Sequence, residues 1–371
     1  MKTPRTRRDS TAFTLIEVLV AATILVVMVG FMIVVMDQTT RIWSGSSAKV
    51  EQFREARSAF ERVTTRLSQA TLNTYWDYDS ATKPTRYLRQ SELRFIAGSA
   101  PGLLGSTGPG NTARVAHTVF FNAPLGITAN ANYTGLENAL NTIGYFVELG
   151  DDSAQRPDFM KSMVDAIPLR WRFRLMEFSQ PTENFSLYQW TSGTPGFDTS
   201  ALGEWYKTDV NNEAVLKRVV AENVIAFVVT PRLAKTEEAA FPLAVSNPDF
   251  SPIAPLYSYD STQGPSSALS DVDKAKLNPK NQLPPVVQLT IVAVDEKSAA
   301  RLGLSSAGDS DVFGLSTLFS DTKKFASDPE TNFVGDLATL EKTLATKRVR
   351  YRVFTTNVQI RAAKWSREQI K

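Results

Sequence analysis

The chain has no cysteine and a single histidine among its 371 residues. The first absence removes disulfides, thiolate metal sites and cysteine nucleophiles together. The second leaves His117 as the sole imidazole, so a Ser-His-Asp triad would have to use it, and zinc sites built on several histidines are excluded. Set beside Val115, Val119, Phe120 and Phe121, His117 reads as a packed or surface strand residue. A dominant charge is missing too: 41 basic residues face 38 acidic ones, a net charge of +3, and this balance predicts no nucleic-acid partner. Without disulfides, an exported domain must rest on its apolar core. The length suffices for one large or two ordinary domains at about 150 residues each.

Charge is scarcest from Phe13 to Met36, a run of 24 residues interrupted only by Thr14, Glu17, Thr23 and Gly30. About 20 apolar residues cross a bilayer as a helix, so this run is long enough to span. Lys2, Arg5, Arg7 and Arg8 precede it, and basic flanks stay cytoplasmic, which places the bulk of the chain outside the cytoplasm. A secretory signal has the same order of basic and apolar regions. The apolar run is longer than a usual signal core, although small residues between Ser44 and Ala48 offer a cleavage site. Glu17 is the informative residue, because a carboxylate inside a span is costly and implies function.

Beyond the span, Val50, Phe53, Ala56, Phe60, Val63, Leu67 and Ala70 recur at steps of three or four, one face of a continuing helix. Glu51, Arg54, Glu55, Arg57, Glu61, Arg62 and Arg66 form the opposite face, read as solvated. A rod from Thr14 to Leu72 is roughly 90 Å long at 1.5 Å per residue. Ser44 to Ser47 are expected to bend it without ending it.

The string Ala12-Phe-Thr-Leu-Ile-Glu17 resembles the processing site of type IV prepilins and type II secretion pseudopilins. The resemblance implies a leader over 1–12, cleavage by a prepilin peptidase between Ala12 and Phe13, and N-methylation of Phe13. It implies a spanning half-helix over 13–36, an amphipathic half over 37–75 and an extracytoplasmic head over 76–371. The partners it implies are other pilin subunits, an inner-membrane assembly platform and the lipid bilayer. Glu17 then meets the Phe13 amine of a neighbouring subunit, where removing either charge would strand the other in low dielectric. The segments Phe60 to Ala70, Leu216 to Phe227 and Leu283 to Ile291 are similar to the minor pseudopilin J class. The chain is longer than its typical member, as large pilin-like proteins of multi-gene cassettes are.

After Trp76 the period changes to two. Leu169, Trp171, Phe173 and Leu175 alternate with Arg170, Arg172 and Arg174, the pattern of a strand with one wet face. Further strands are predicted at Leu93–Ala97, Val115–Phe121, Ile143–Leu149, Val224–Thr230, Val286–Val294 and Arg350–Ile360. Short helices are predicted at Glu137–Asn141, Glu213–Val219, Glu296–Leu302 and Asp336–Ala345. The sum is an α+β, pilin-like fold, with a long N-terminal helix on a mainly antiparallel sheet. Irregular stretches cover 98–111, 191–203, 234–284 and 305–332, and loops of such length are usually functional or mobile.

Little of this points to catalysis. Gly102 to Gly110 is glycine-rich but lacks the Gly-Lys-Ser/Thr ending of a phosphate loop. Asp271, Asp273, Asp309 and Asp311 offer oxygen ligands without the glycine and terminal Glu of an EF-hand. The expectation is a non-enzymatic filament subunit with no cofactor or metal site. The alternative is a signal-anchored extracytoplasmic protein whose long loops bind or hydrolyse a ligand.

Overall fold

The computed structural model describes residues 15–133, 135–161, 168–185, 205–211, 217–322 and 333–366, with the backbone alone over 41–52. The chain divides into two compact units, Met1–Gln52 and Phe53–Lys371. The described part of the first is a single helix, α1 (Leu15–Gln52). It passes through Ser44 to Ser47 without ending; the break comes at Phe53, whose φ of −102° and ψ of 2° leave the helical region before α2 (Arg54–Leu67) begins.

Twelve strands are described. They are β1 (Tyr75–Tyr78), β2 (Tyr87–Gln90), β3 (Ile96–Ser99), β4 (Thr107–Gly108), β5 (Thr112–Pro124), β6 (Leu140–Gly150), β7 (Arg172–Gln180), β8 (Lys217–Glu222), β9 (Val224–Arg232), β10 (Tyr259–Asp260), β11 (Val286–Val294) and β12 (Tyr351–Gln359). Seven form one sheet in the order β10-β3-β5-β6-β7-β8, with β4 added to β5; β12-β11-β9 form a second, and β1-β2 a separate ladder. Every pairing is antiparallel. The fold is therefore α+β, an apolar N-terminal helix followed by a mostly antiparallel head.

In the head, β9 lies against β3, β5, β6 and β7, so the small sheet packs on the large one, and α2 closes the layer against β5, β8, β11 and β12. The apolar face of α2 drives this: Ala56, Ala59, Val63 and Leu67 are buried at helical spacing, alongside Phe121, Tyr145, Phe227 and Leu289. The other face of the large sheet carries a second cluster, in which Phe120, Phe146, Met176 and Phe178 are covered by Tyr206 and Val210 of the helix Trp205–Asn211. Phe120 stacks on Tyr206 with centroids 4.5 Å apart. Its ring also lies over Gly144, where a β-carbon would sit 2.2 Å from Cε1, so no larger residue fits there.

Covering both faces overturns the wet face expected of β7. Arg172 and Arg174 are buried; Arg172 reaches Glu296 at 2.6 Å, while Arg174 donates to the carbonyls of Gly150 and Asp151 and pairs with Glu222. Two helices predicted from sequence give way to strand among the described residues. Leu140 and Asn141 open β6, and the described part of 213–219 enters β8. Helices do form at Glu296–Arg301 and Phe333–Thr346. The stretch 234–284 is no free loop: it holds three short helices and β10, and buries Phe241, Phe250, Ile253, Tyr257 and Leu269. Residues 191–203 lie outside the described residues.

Candidate functional site: the N-terminal assembly helix

Ala12 and Phe13 lie outside the described residues. Glu17 is in the first turn of α1. A carboxylate there is compatible with the helix, since acids near an N-terminus complement its dipole. From Leu15 to Thr40, 26 residues form one apolar helix, none of whose most apolar window is buried within the protein. Leu15 is 85% exposed and Met36 74%. Such a surface is unfavourable in water over its whole length and matches lipid or the apolar faces of other helices. The few polar side chains are accommodated from within: the hydroxyls of Thr23, Thr39 and Thr40 donate to the carbonyls of Val20, Val35 and Met36 at 2.7–2.8 Å. An alcohol satisfied by its own helix adds no unpaired donor to the apolar surface. Gly30 leaves a gap in the side-chain surface with nothing within 4 Å of its would-be β-carbon.

The head fastens α2 through charges that the sequence reading assigned to solvent. Glu177, fully buried on β7, accepts from Arg62 Nε at 2.8 Å and from Tyr145 Oη at 2.9 Å, and it pairs with Arg66 at 2.7 Å and with Arg218. Burial and the neighbouring Glu177 charge push the Tyr145 hydroxyl well above the usual phenol range, so it stays a donor. No local pattern identifies this cluster, because its members come from α2, β6, β7 and β8. Arg57 and Glu61 do pair on the exposed side at 2.9 Å, as their spacing predicts.

His117 is buried rather than exposed. A register shift between Val115 and Thr118, with Ala116 at a φ of 56°, takes His117 out of the β5–β6 pairing while it stays paired with Ser99 of β3. Nε2 is 2.9 Å from the Phe319 carbonyl, and Nδ1 accepts from the Val229 amide at 3.2 Å. Both ring nitrogens thus serve backbone groups, and burial lowers the pKa to about 4. The loop acids are likewise engaged locally. The Asp273 carboxylate accepts from the N-cap Ser270 hydroxyl and from Lys276, Asp309 closes a capping box with Ser306, and Asp311 accepts from Ser316. Among the described residues, no group of three or more His, Asp or Glu side chains is arranged to hold a metal ion.

The family model of the prokaryotic N-terminal methylation motif matches residues 7–33, which covers Ala12, Phe13, Glu17 and most of the spanning run. No curated protein matches the chain, and neither does any solved structure. The motif is that of prepilins, which a prepilin peptidase processes and which assemble with other pilin subunits as structural components rather than enzymes. With the apolar helix and the antiparallel head behind it, the motif supports a prepilin-like chain, processed at its N-terminus and of type IV pilin-like character.

Proposed function

We propose that the chain is inserted in the cytoplasmic membrane with its N-terminus inside and its head outside, cleaved between Ala12 and Phe13, and methylated on the new amine. It is then assembled, through an inner-membrane platform, as a minor subunit of a type II secretion pseudopilus or a type IV pilus-like filament. In this reading 1–12 is the leader, 13–36 the membrane half of the helix, 37–75 an amphipathic segment that is interrupted at Phe53 and ends its helix at Leu67 rather than running on as one rod, and 76–371 the rest of the head. The observation that carries it is the methylation motif lying on a helix whose apolar surface nothing in its own unit covers, with one acid in its first turn. Such a helix needs an apolar environment before assembly and another after it, and lipid followed by a bundle of like helices supplies both.

Glu17 has a specific part: its carboxylate neutralises the Phe13 ammonium of an adjacent subunit inside the bundle. An uncompensated charge there is strongly unfavourable, so the pair selects the docked register. Mass spectrometry of the mature protein tests the processing step. The expected N-terminus is methylated Phe13; an intact leader, or a cut near Ala48, overturns the assignment. Glu17→Ala tests docking. The variant should insert and fold as the parent does but no longer crosslink into filaments; undiminished crosslinking would remove the charge pair from the account.

A further inference from the structure

Arginines that leave solvent in this head are matched by carboxylates. Arg94 pairs with Asp260, Arg114 with Glu148, Arg156 with Asp152, Arg172 with Glu296 and Arg232 with Glu238. Arg89 on β2 departs from this rule. It is half-buried, its Cζ sits 5.4 Å from the centroid of the Trp76 ring, and its guanidinium has no hydrogen bond or ion pair among the described residues. Desolvation alone acts on it, lowering its pKa, with no carboxylate to offset the cost.

Arg89 and Trp76 line a cleft of about 660 Å³, with Thr71, Thr74, Asn281 and Lys364 among the other walls. Lys364 is exposed and likewise has no carboxylate partner among the described residues. Two cations without a carboxylate partner among the described residues therefore share one concavity, and its complement is an anion. The Nδ2 of Asn281 donates to the Arg89 carbonyl at 2.6 Å and holds β2 against the cleft. The β1-β2 register pairs Trp76 with Arg89 and Tyr78 with Tyr87, so these four side chains share one face of a two-stranded ladder that joins no other sheet. Tyr78 and Tyr87 stack at 4.8 Å, and Tyr75, Trp76, Tyr78 and Tyr87 are each at least 44% exposed.

We propose that this cleft docks an extended peptide segment of a partner protein, with a carboxylate side chain received by Arg89 and Lys364 and the flanking residues lying on the aromatic face of β1-β2. Charge complementarity specifies the carboxylate. The open ladder specifies an extended chain, since an unpaired strand edge offers backbone donors and acceptors to one. Trp and Tyr, exposed here, and Arg are the residue types that dominate protein interfaces energetically.

The test is panning of the full-length protein, in detergent micelles, against phage-displayed random heptapeptides, followed by titration of a selected synthetic peptide. Asp or Glu should be enriched at one position, and the Kd should rise about tenfold in Arg89→Gln, the scale of one lost charge-assisted pair. Arg89→Gln should keep the parental unfolding midpoint. Lys364→Gln, at an exposed site, carries the same test should the first variant not fold. Selection of peptides without an acid, or equal affinity for both variants and the parent, overturns the proposal. So does displacement of the peptide by polygalacturonate or inorganic phosphate at equal concentration, which would assign the cleft to a polysaccharide or a free anion.

Discussion

Glu177 shows how much one buried acid can organise. It is fully enclosed, yet two of its three arginines, Arg62 and Arg218, reach solvent, while Arg66 is largely covered. Glu177→Gln keeps the shape and removes the charge; we expect a loss of about 3 kcal/mol, the low end for a broken buried pair, because the two outer arginines can turn to water. Urea unfolding of the head checks this, and a loss below about 0.5 kcal/mol, typical of exposed pairs, would show that the cluster is merely superficial. His117 gives a pH dependence. Its folded pKa is near 4 against 6.5 unfolded, so the unfolded chain binds the proton first as pH falls. Its contribution is complete above 6.5 and is lost progressively down to about 4, for a total of roughly 3 kcal/mol from the shift. Unfolding at pH 7 and pH 4 should show this drop, and His117→Gln should reduce it. The charge of Glu17 was legible in sequence as an anomaly. The enclosure of Glu177 was not, since Arg62 and Arg66 look like the outer face of an amphipathic helix until β7 is laid beside them.

At the scale of elements, the central strands were readable because their apolar density exceeds what any surface strand needs. β11 occupies the predicted span, and β5, β6, β9 and β12 contain or nearly match theirs. Errors arose where distant cover changed the environment. The alternation in β7 implied one wet face, and only the helix Trp205–Asn211 and the carbonyls of Gly150 and Asp151 make its second face an interior. Near Leu140 and Lys217, short helical spacing lost to strand pairing, as local propensity does when a sheet extends over it. The segments likened to the J class, 60–70, 216–227 and 283–291, converge as α2, β8 with β9, and β11, all within one core. Leu67→Ala, which empties a fully buried position on α2, should cost about 2–5 kcal/mol in urea unfolding. A cost under about 1 kcal/mol would mean that α2 is a passenger on the head.

The whole molecule divides its apolar surface between two purposes, enclosing it in the head and presenting it along α1. The boundary at Gln52 and Phe53 predicts that a fragment of residues 53–371 folds alone. Its near-UV circular dichroism and unfolding midpoint should equal those of the full chain in detergent, and it should need no detergent; aggregation of the fragment would show that α1 contributes to the head core. Within the head, α2 is held far from its own start: Arg62 and Arg66, the residues tied to Glu177, lie two to three turns beyond Arg54. The first turns of α2 can therefore fray and re-form while the buried ion cluster stays closed, so its N-terminal end is the adaptable part of the element and its far end the anchor.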